Sequence, residues 1–206
     1  MNKTKAIMVF LSAFLITELA FSQMNLVPNP SFEQNHGTEP CPFNPADSLL
    51  WPDSWISPAP NWGGGNPNYY LTSYCNQYSS VPLNFDGYQY PYEGNAYTLI
   101  AIVGDTASML WREYLQVELT QNLEAGHRYC FSAWLSCGDS AMRATDDIGV
   151  YFSDTAIYQN GSENFTFIPQ IRNPEGRFLS DKTGWQLFTG SFVAVGGEDI
   201  LLLEIS

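Results

Sequence analysis

The chain has 206 residues, a length that suits one domain, and its 21 acidic and 8 basic side chains give a formal net charge of −13. A chain this acidic repels phosphate backbones, which excludes nucleic acid as an expected partner. Aromatic residues make up 15% of the chain and charged residues only 14%, and this mix, rich in turn formers, is typical of secreted β-proteins.

Positions 1–22 are predicted to be a secretory signal peptide. Lys3 and Lys5 precede a mostly apolar run, and the sequence Ala20-Phe21-Ser22 places small residues where a signal peptidase cuts, before Gln23. The apolar run is shorter than the roughly 20 residues that a membrane span needs. We therefore expect export to the extracellular space or the outer-membrane surface, with no transmembrane span after cleavage.

The first half of the mature chain has little periodicity. Met24 to Glu33 is predicted to be an edge strand, because prolines interrupt it. The stretch from Gln34 to Gln89 is rich in Pro, Gly, Asn, Trp and Tyr, and it is too long for a simple connection. A loop region of this size is usually functional or tied down.

Four cysteines are present, which permits disulfides in an exported protein. Cys41 and Cys75 both lie in the long loop region, where a bridge would hold a segment with little regular structure, so they are the favoured pair. Cys130 and Cys137 are seven residues apart, so strand alternation points them to opposite faces and argues against a direct bridge. A zinc site is the rival interpretation, but there is no CxxC motif or histidine cluster.

The second half is predicted to be rich in strands. Leu115, Val117 and Leu119 alternate with polar residues, and the following strand places Tyr129, Phe131, Ala133 and Leu135 on one face and Cys130, Ser132 and Trp134 on the other. The predicted strands span residues 95–103, 114–119, 129–135, 148–152, 185–195 and 200–205. Short strands at this spacing favour an all-β protein, an antiparallel β-sandwich formed by a single domain over residues 23–206.

Several segments together resemble the galactose-binding-like jelly rolls, a superfamily with many carbohydrate-binding modules. They are "NLVPNPSFE" near the start and Arg112 to Ser136, "REYLQVELTQNLEAGHRYCFSAWLS", which is similar to the central hairpin of those modules. "DDIGVYFS", "IPQIRNPEG" and "GWQLFTGSFVAVGGEDILLLEIS" resemble, more narrowly, a module of secreted and outer-membrane-associated Bacteroidetes proteins that often precedes an OmpA-like or gliding-motility-type domain. The resemblance implies a jelly-roll fold and a cell-surface location, and the superfamily implies glycan binding.

The same resemblance implies a structural calcium ion. Glu33 falls where the related modules use a glutamate ligand, and oxygen ligands suit this cation. The usual partner, an aspartate after the last strand, has no counterpart before the end at Ser206. We therefore expect that the chain is truncated at the C-terminal end of its domain, and that the missing segment carries one of the calcium ligands.

The candidate ligand is a polysaccharide or cell-surface glycan. Sugars present apolar C–H faces and hydroxyl rims, which aromatic rings and amides recognise, and the long loop region supplies both. The candidate binding residues are Trp62, Tyr69, Tyr70, Tyr88, Asn61 and Asn68. The alternative is that these rings pack the loop onto the sheet as a small core; for Trp55 and Trp185 a core role is preferred.

A catalytic role is not expected, because His36 and His127 belong to no recognisable nucleophile or metal motif. The alternative function is structural: a domain that packs against envelope proteins within a larger surface protein, without a carbohydrate ligand. Ser48, Thr106, Ser140 and Thr155 each follow an aspartate and precede an apolar residue, which resembles the O-glycosylation motif of exported Bacteroidetes proteins.

Overall fold

A computed structural model describes residues 24–37, 51–59, 67–72, 79–103, 111–159 and 165–205. Within these ranges the chain forms β-strands and no helix, and therefore no helix that could cross a membrane. The strands are β1 (Asn35–His36), β2 (Trp51–Pro52), β3 (Trp55–Ile56), β4 (Asn68–Leu71), β5 (Leu83–Asn84), β6 (Gly87–Tyr88), β7 (Ala96–Leu99), β8 (Ile102–Val103), β9 (Trp111–Arg112), β10 (Leu115–Glu118), β11 (Arg128–Leu135), β12 (Ile148–Ser153), β13 (Ile171–Arg172), β14 (Gln186–Val193) and β15 (Ile200–Ile205).

The largest sheet has five antiparallel strands in the order β13-β12-β15-β10-β3. β15 lies at its centre and pairs along its whole length with β12, from Ile148 opposite Ile205 to Ser153 opposite Ile200. Its run of apolar residues suits this position, because a central strand is covered on both faces: Leu201 and Leu202 face opposite sides of the sheet and both are buried. The sequence prediction of a buried strand at residues 200–205 is confirmed.

A second layer, the β11–β14 pair, packs on one face of the five-stranded sheet. The two strands pair over eight residues, from Arg128 opposite Val193 to Leu135 opposite Gln186. Phe188 and Phe192 of β14 join the core formed by the large sheet, and the rings of Phe152 and Phe192 stack with centroids 4.4 Å apart. Two antiparallel layers around one apolar core confirm the predicted all-β, sandwich-like architecture.

The connection between β10 and β11 differs from the expected hairpin. The two strands lie in different layers and do not pair, so the turn at residues 125–126 carries the chain across the core rather than back along one sheet. Gly126, with φ of 79°, makes this turn. Its N–H donates to the carbonyl of Ala194, and the N–H of Ala194 donates to the carbonyl of His127, so that two residues lie opposite one and form a β-bulge. Each strand can then bury its apolar face in the same core from opposite sides.

The predicted edge strand at Met24 to Glu33 is also wrong. Asn29 and Phe32 have φ of 47° and 60°, values that no strand accommodates, and the segment follows a series of bends. The adjacent prolines cannot donate to a ladder. The segment is instead held by contacts: Phe32 packs on Trp55, with ring centroids 5.0 Å apart, and Trp55 Nε1 donates to the carbonyl of Asn29.

Some sequence predictions lie outside the described residues. They are the signal peptide at 1–22, the candidate bridge between Cys41 and Cys75, the candidate binding residues Asn61 and Trp62, and the candidate glycosylation sites Ser48 and Thr106.

Candidate functional site

A cleft of about 880 Å³ opens between the β11–β14 layer and the first half of the chain. The segment from residue 24 to 32, the β5–β6 hairpin and β7 contribute to its lining, as does β11. Its floor reaches the core at Leu115, Phe152 and Leu201. A mainly apolar lining with a few polar side chains matches the usual character of ligand sites, so we take this cleft as the candidate site.

The β5–β6 hairpin is docked onto the loop after β11 by one carboxylate. The N–H of Tyr88 donates to Asp139 Oδ2 at 2.8 Å. Gly87 has φ of 138°, and a Cβ atom there would lie 2.5 Å from Asp139 Cβ, so only glycine allows this approach. The hairpin therefore holds Tyr88 at the mouth of the cleft.

Three exposed aromatic side chains line the cleft, and a fourth, Tyr90, contacts one of them. Tyr88, Tyr90, Tyr92 and Trp134 are 53%, 59%, 49% and 39% exposed, and we call them the tyrosine platform. Tyr92 stacks on Trp134 with centroids 4.2 Å apart and planes 15° apart, while Tyr88 and Tyr90 meet edge to face at 5.7 Å. Exposing this much aromatic surface in one place is unusual for a surface that only faces water.

Polar groups fix the platform from beneath. Trp185 Nε1 donates to the carbonyl of Tyr90 at 3.0 Å, and its ring lies edge-on to Tyr92. Gln89 donates through Nε2 to the same carbonyl at 2.9 Å and accepts from Ser136 Oγ at 3.2 Å. The tyrosines are thus carried on a main chain that is bonded on several sides, which is the preorganisation a binding surface needs.

A buried polar network supports the hairpin from the core side. Tyr70 donates its hydroxyl to Asp86, and Asn84 Nδ2 donates to the hydroxyl oxygen of Tyr97 at 2.6 Å. Burial, together with the hydrogen bond to Asp86, raises the pKa of Tyr70, and burial raises the pKa of Tyr97 to about 12. Both hydroxyls therefore stay protonated and act as fixed donors or acceptors.

Glu113 is a buried carboxyl group near this network. Its Oε2 accepts from the N–H of Ala101 at 2.7 Å, and only 5% of the residue is exposed. Burial raises the pKa of Glu113 to about 7, the charge of Asp86 adds to this, and the Ala101 hydrogen bond opposes it. The proton occupancy of Glu113 therefore changes near neutral pH.

The structure divides the predicted binding residues. Tyr88 lies on the platform, and Asn68 is exposed on β4 away from the cleft lining. Tyr69 and Tyr70 are only 5% and 2% exposed, so neither ring can receive a ligand from solvent, and this corrects their assignment to the site. Tyr69 forms a small cluster with Leu71 and Ala96, which is the alternative that the sequence left open.

Three platform residues were missed as binding residues. Tyr90 and Tyr92 follow Tyr88 at intervals of two, which in an extended segment places the three side chains on one side. Trp134 was assigned by alternation to the outer face of β11, and this assignment is confirmed. The missing information was that the two segments meet, which only the fold provides.

The carboxylate of Glu33 accepts hydrogen bonds from the segment that leads into β7. Its Oε1 accepts from the N–H groups of Asn95 and Ala96 at 2.7 and 3.1 Å, and its Oε2 accepts from Asn95 Nδ2 at 3.1 Å. In the described ranges no group of three acidic, histidine or cysteine side chains is placed to hold a metal ion. A structural calcium ion at Glu33 stays a prediction from the sequence.

The remaining predicted residues are exposed or partly exposed. Cys130 lies on the outer face of β11 and Cys137 just beyond its end, and both thiols are free. Ser140 and Thr155 are exposed in turns, and Thr155 Oγ1 bonds the adjacent Asp154 carboxylate at 3.1 Å. O-glycosylation at these two positions stays a prediction.

No protein-family model matches the chain, and no curated protein or solved structure is similar enough to count as a match. The resemblance to galactose-binding-like modules of Bacteroidetes accordingly stays a prediction from the sequence.

Proposed function

We propose that this protein is a non-catalytic carbohydrate-binding module that takes a glycan or surface polymer on the tyrosine platform. The observation that carries the proposal is a group of four exposed aromatic rings, three of which line one cleft while the fourth, Tyr90, contacts Tyr88. A pyranose ring offers an apolar C–H face, and burying such a face against an aromatic ring stabilises a complex by about 25 cal/mol for each Å² of apolar area.

The groups at the edges of the platform suit the hydroxyl rim of a sugar. Tyr88 and Tyr90 carry exposed hydroxyls that touch at 3.4 Å, and each can donate to or accept from a ligand. Asp139 is exposed beside Tyr88, and a carboxylate accepts two vicinal hydroxyls well. The negative charge of the chain favours a neutral or cationic glycan over a sulfated or uronic one.

The proposal includes the finer identity of the fold and its location. We infer a galactose-binding-like jelly roll, supported by the order of the resembling segments and by the two packed antiparallel layers. We infer export to the bacterial surface, supported by the N-terminal sequence. The proposal assigns no catalytic residue and no metal.

A glycan array, followed by calorimetry with the best polysaccharide, tests this function. Tyr92→Ala and Trp134→Ala each remove half of the stacked pair and should weaken binding at least tenfold. Tyr158→Ala is the matched control, because Tyr158 is 61% exposed but does not line the cleft. Binding that both platform variants retain would move the site elsewhere, and no binding to any polysaccharide would count against the function.

The second candidate function is a structural or assembly domain that contacts envelope proteins without a carbohydrate ligand. The observation that favours it is that β11 pairs only with β14 among the described residues, which leaves its other edge for another chain to pair with. It predicts association with protein rather than with polysaccharide.

A further inference from the structure

Strand β11 has an open edge. It pairs only with β14 among the described residues. All eight of its residues, Arg128 to Leu135, line the cleft. Because side chains alternate between the two faces of a strand, a space touched by every residue lies along the edge of the strand and not on one face. The cleft therefore runs beside the main chain of β11.

The hydrogen-bond phase shows which main-chain groups face this space. Ala194 N donates to the carbonyl of His127 at 3.0 Å, which makes these two residues a bonded pair at the start of the ladder. Bonded and non-bonded pairs alternate in an antiparallel ladder, so Cys130, Ser132 and Trp134 direct their N–H and C=O groups away from β14. Those groups point into the cleft.

The main-chain groups on the far edge of β14 follow the same alternation of bonded and non-bonded pairs. Leu187 lies opposite Trp134 in a non-bonded pair, so its carbonyl should point away from β11. It does so, and accepts from Arg177 Nη2 at 2.6 Å. A side chain thus bonds the outer edge of β14, whereas among the described residues none hydrogen-bonds to the main-chain groups of Cys130, Ser132 and Trp134.

The edge of strand β7 that faces away from β4 is partly open to the same cleft. Thr72 N donates to the carbonyl of Asn95 at 2.9 Å, which by the same alternation turns the main-chain groups of Ala96 and Thr98 away from β4. Glu33 takes the N–H of Ala96, whereas Thr98 Oγ1 is buried without a hydrogen-bond partner in the described part of the chain. Thr98 lines the cleft.

The wall beneath these edges is apolar and incompletely covered. Tyr129, Phe131 and Leu135 face the core from β11 but stay only half-buried, whereas Phe188 on the neighbouring strand is fully buried. The difference arises because the cleft lies over the β11 side of the core. Apolar side chains entering the cleft would complete this cover.

We propose that the cleft accepts one extended peptide strand from another polypeptide, which pairs with the open edge of β11. A peptide supplies donors and acceptors at the two-residue interval of about 6.6 Å that the edge presents, and sugars and lipids have no such repeat. Every second side chain of the peptide would pack against the apolar residues that line the cleft. The acidic chain favours basic residues at the ends of the segment.

The test uses a synthetic peptide of eight residues, the length of β11, in which Val and Thr alternate between terminal lysines. A peptide of the same composition with its valines contiguous is the control ligand. Amide hydrogen exchange of the whole protein is measured with and without each peptide. We expect the Cys130, Ser132 and Trp134 amides to exchange quickly alone and at least tenfold more slowly with the alternating peptide only.

A variant pair locates the interaction. Ser132→Pro removes an N–H from the open edge, where the ladder to β14 does not use it, and should abolish peptide binding. Thr189→Pro, at the residue opposite Ser132, removes an N–H from the far edge and should leave binding unchanged. Tyr158→Ala, at an exposed residue that does not line the cleft, should also leave it unchanged.

Several outcomes would overturn the proposal. They are protection of the three β11 amides in the peptide-free protein at low concentration, equal binding of both peptides, and slowed exchange that avoids these amides. Concentration-dependent protection without peptide, together with a dimer in sedimentation, would identify a second copy as the occupant and also reject the proposal. The exchange measurement on the unchanged protein decides the matter if Ser132→Pro fails to fold.

Discussion

Glu113→Gln should raise the stability of the protein at pH 8 and remove a pH dependence. In the folded chain burial raises the pKa of Glu113 from 4.5 to about 7, and the charge of Asp86 adds to the rise. The raised pKa means that the folded state binds the proton more tightly than the unfolded chain does. Stability from this group is therefore fully present below pH 4.5, falls as the pH rises toward 7 and is lost above it.

The size of the effect follows from the two pKa values. Each unit of pKa corresponds to about 1.4 kcal/mol, so the difference between 4.5 and about 7 makes the ionised Glu113 side chain cost about 3 kcal/mol at pH 8. Glutamine is neutral throughout, and its Oε1 can still accept from the Ala101 N–H. The variant should gain most of this energy, less the cost of an amide donor that finds no partner.

Urea unfolding followed by tryptophan fluorescence at pH 5, 6, 7 and 8 measures the slope. Glu118→Gln is the matched control, because Glu118 is an exposed carboxylate on the neighbouring strand and its substitution should keep the slope. Asp181 affects stability in a different pH range. The N–H groups of Thr183 and Gly184 donate to its carboxylate and lower its pKa, so the stability that it contributes is lost only below about pH 4. A slope that persists in Glu113→Gln would refute the reasoning.

Three further predictions concern packing and the carboxylate at Glu33. Gly190→Ala would drive a methyl group into Ile171 and should lower the free energy of unfolding by about 1–3 kcal/mol in urea titrations, while Ser191→Ala next to it should change little. Phe188→Ala, at a fully buried position, should cost about 3–5 kcal/mol in the same assay. Glu33→Gln should lower the melting temperature, because it weakens the hydrogen bonds from the Asn95 and Ala96 N–H groups; a melting temperature of the unchanged protein that is higher in calcium chloride than in EDTA would support the predicted calcium site.

Predictions based on periodicity agreed with the structure. The alternation in residues 129–135 identified the buried and exposed faces of β11, and the apolar run at 200–205 identified a strand covered on both sides. Local pattern suffices there because a strand has two faces and side chains alternate between them.

Predictions that depended on contacts between distant residues of the chain were less accurate. The resemblance predicts a hairpin within Arg112 to Ser136, but whether the chain folds back along one sheet or crosses to the other layer depends on where the core lies. Tyr70 and Tyr88 come from the same aromatic-rich stretch, yet one is buried against Asp86 and the other is exposed. Composition cannot separate them, since burial of a ring depends on which distant residues cover it.

The sequence by itself determined the strand-rich second half, the all-β class and the surplus of aromatic residues over charges, because periodicity and composition are local properties. The tertiary structure alone decided that Tyr92 meets Trp134, that Glu33 binds main-chain N–H groups, and that β11 keeps one edge open. Each of these depends on contacts between residues far apart in the chain. Such contacts form only when the whole core is packed, so no short window of sequence contains them.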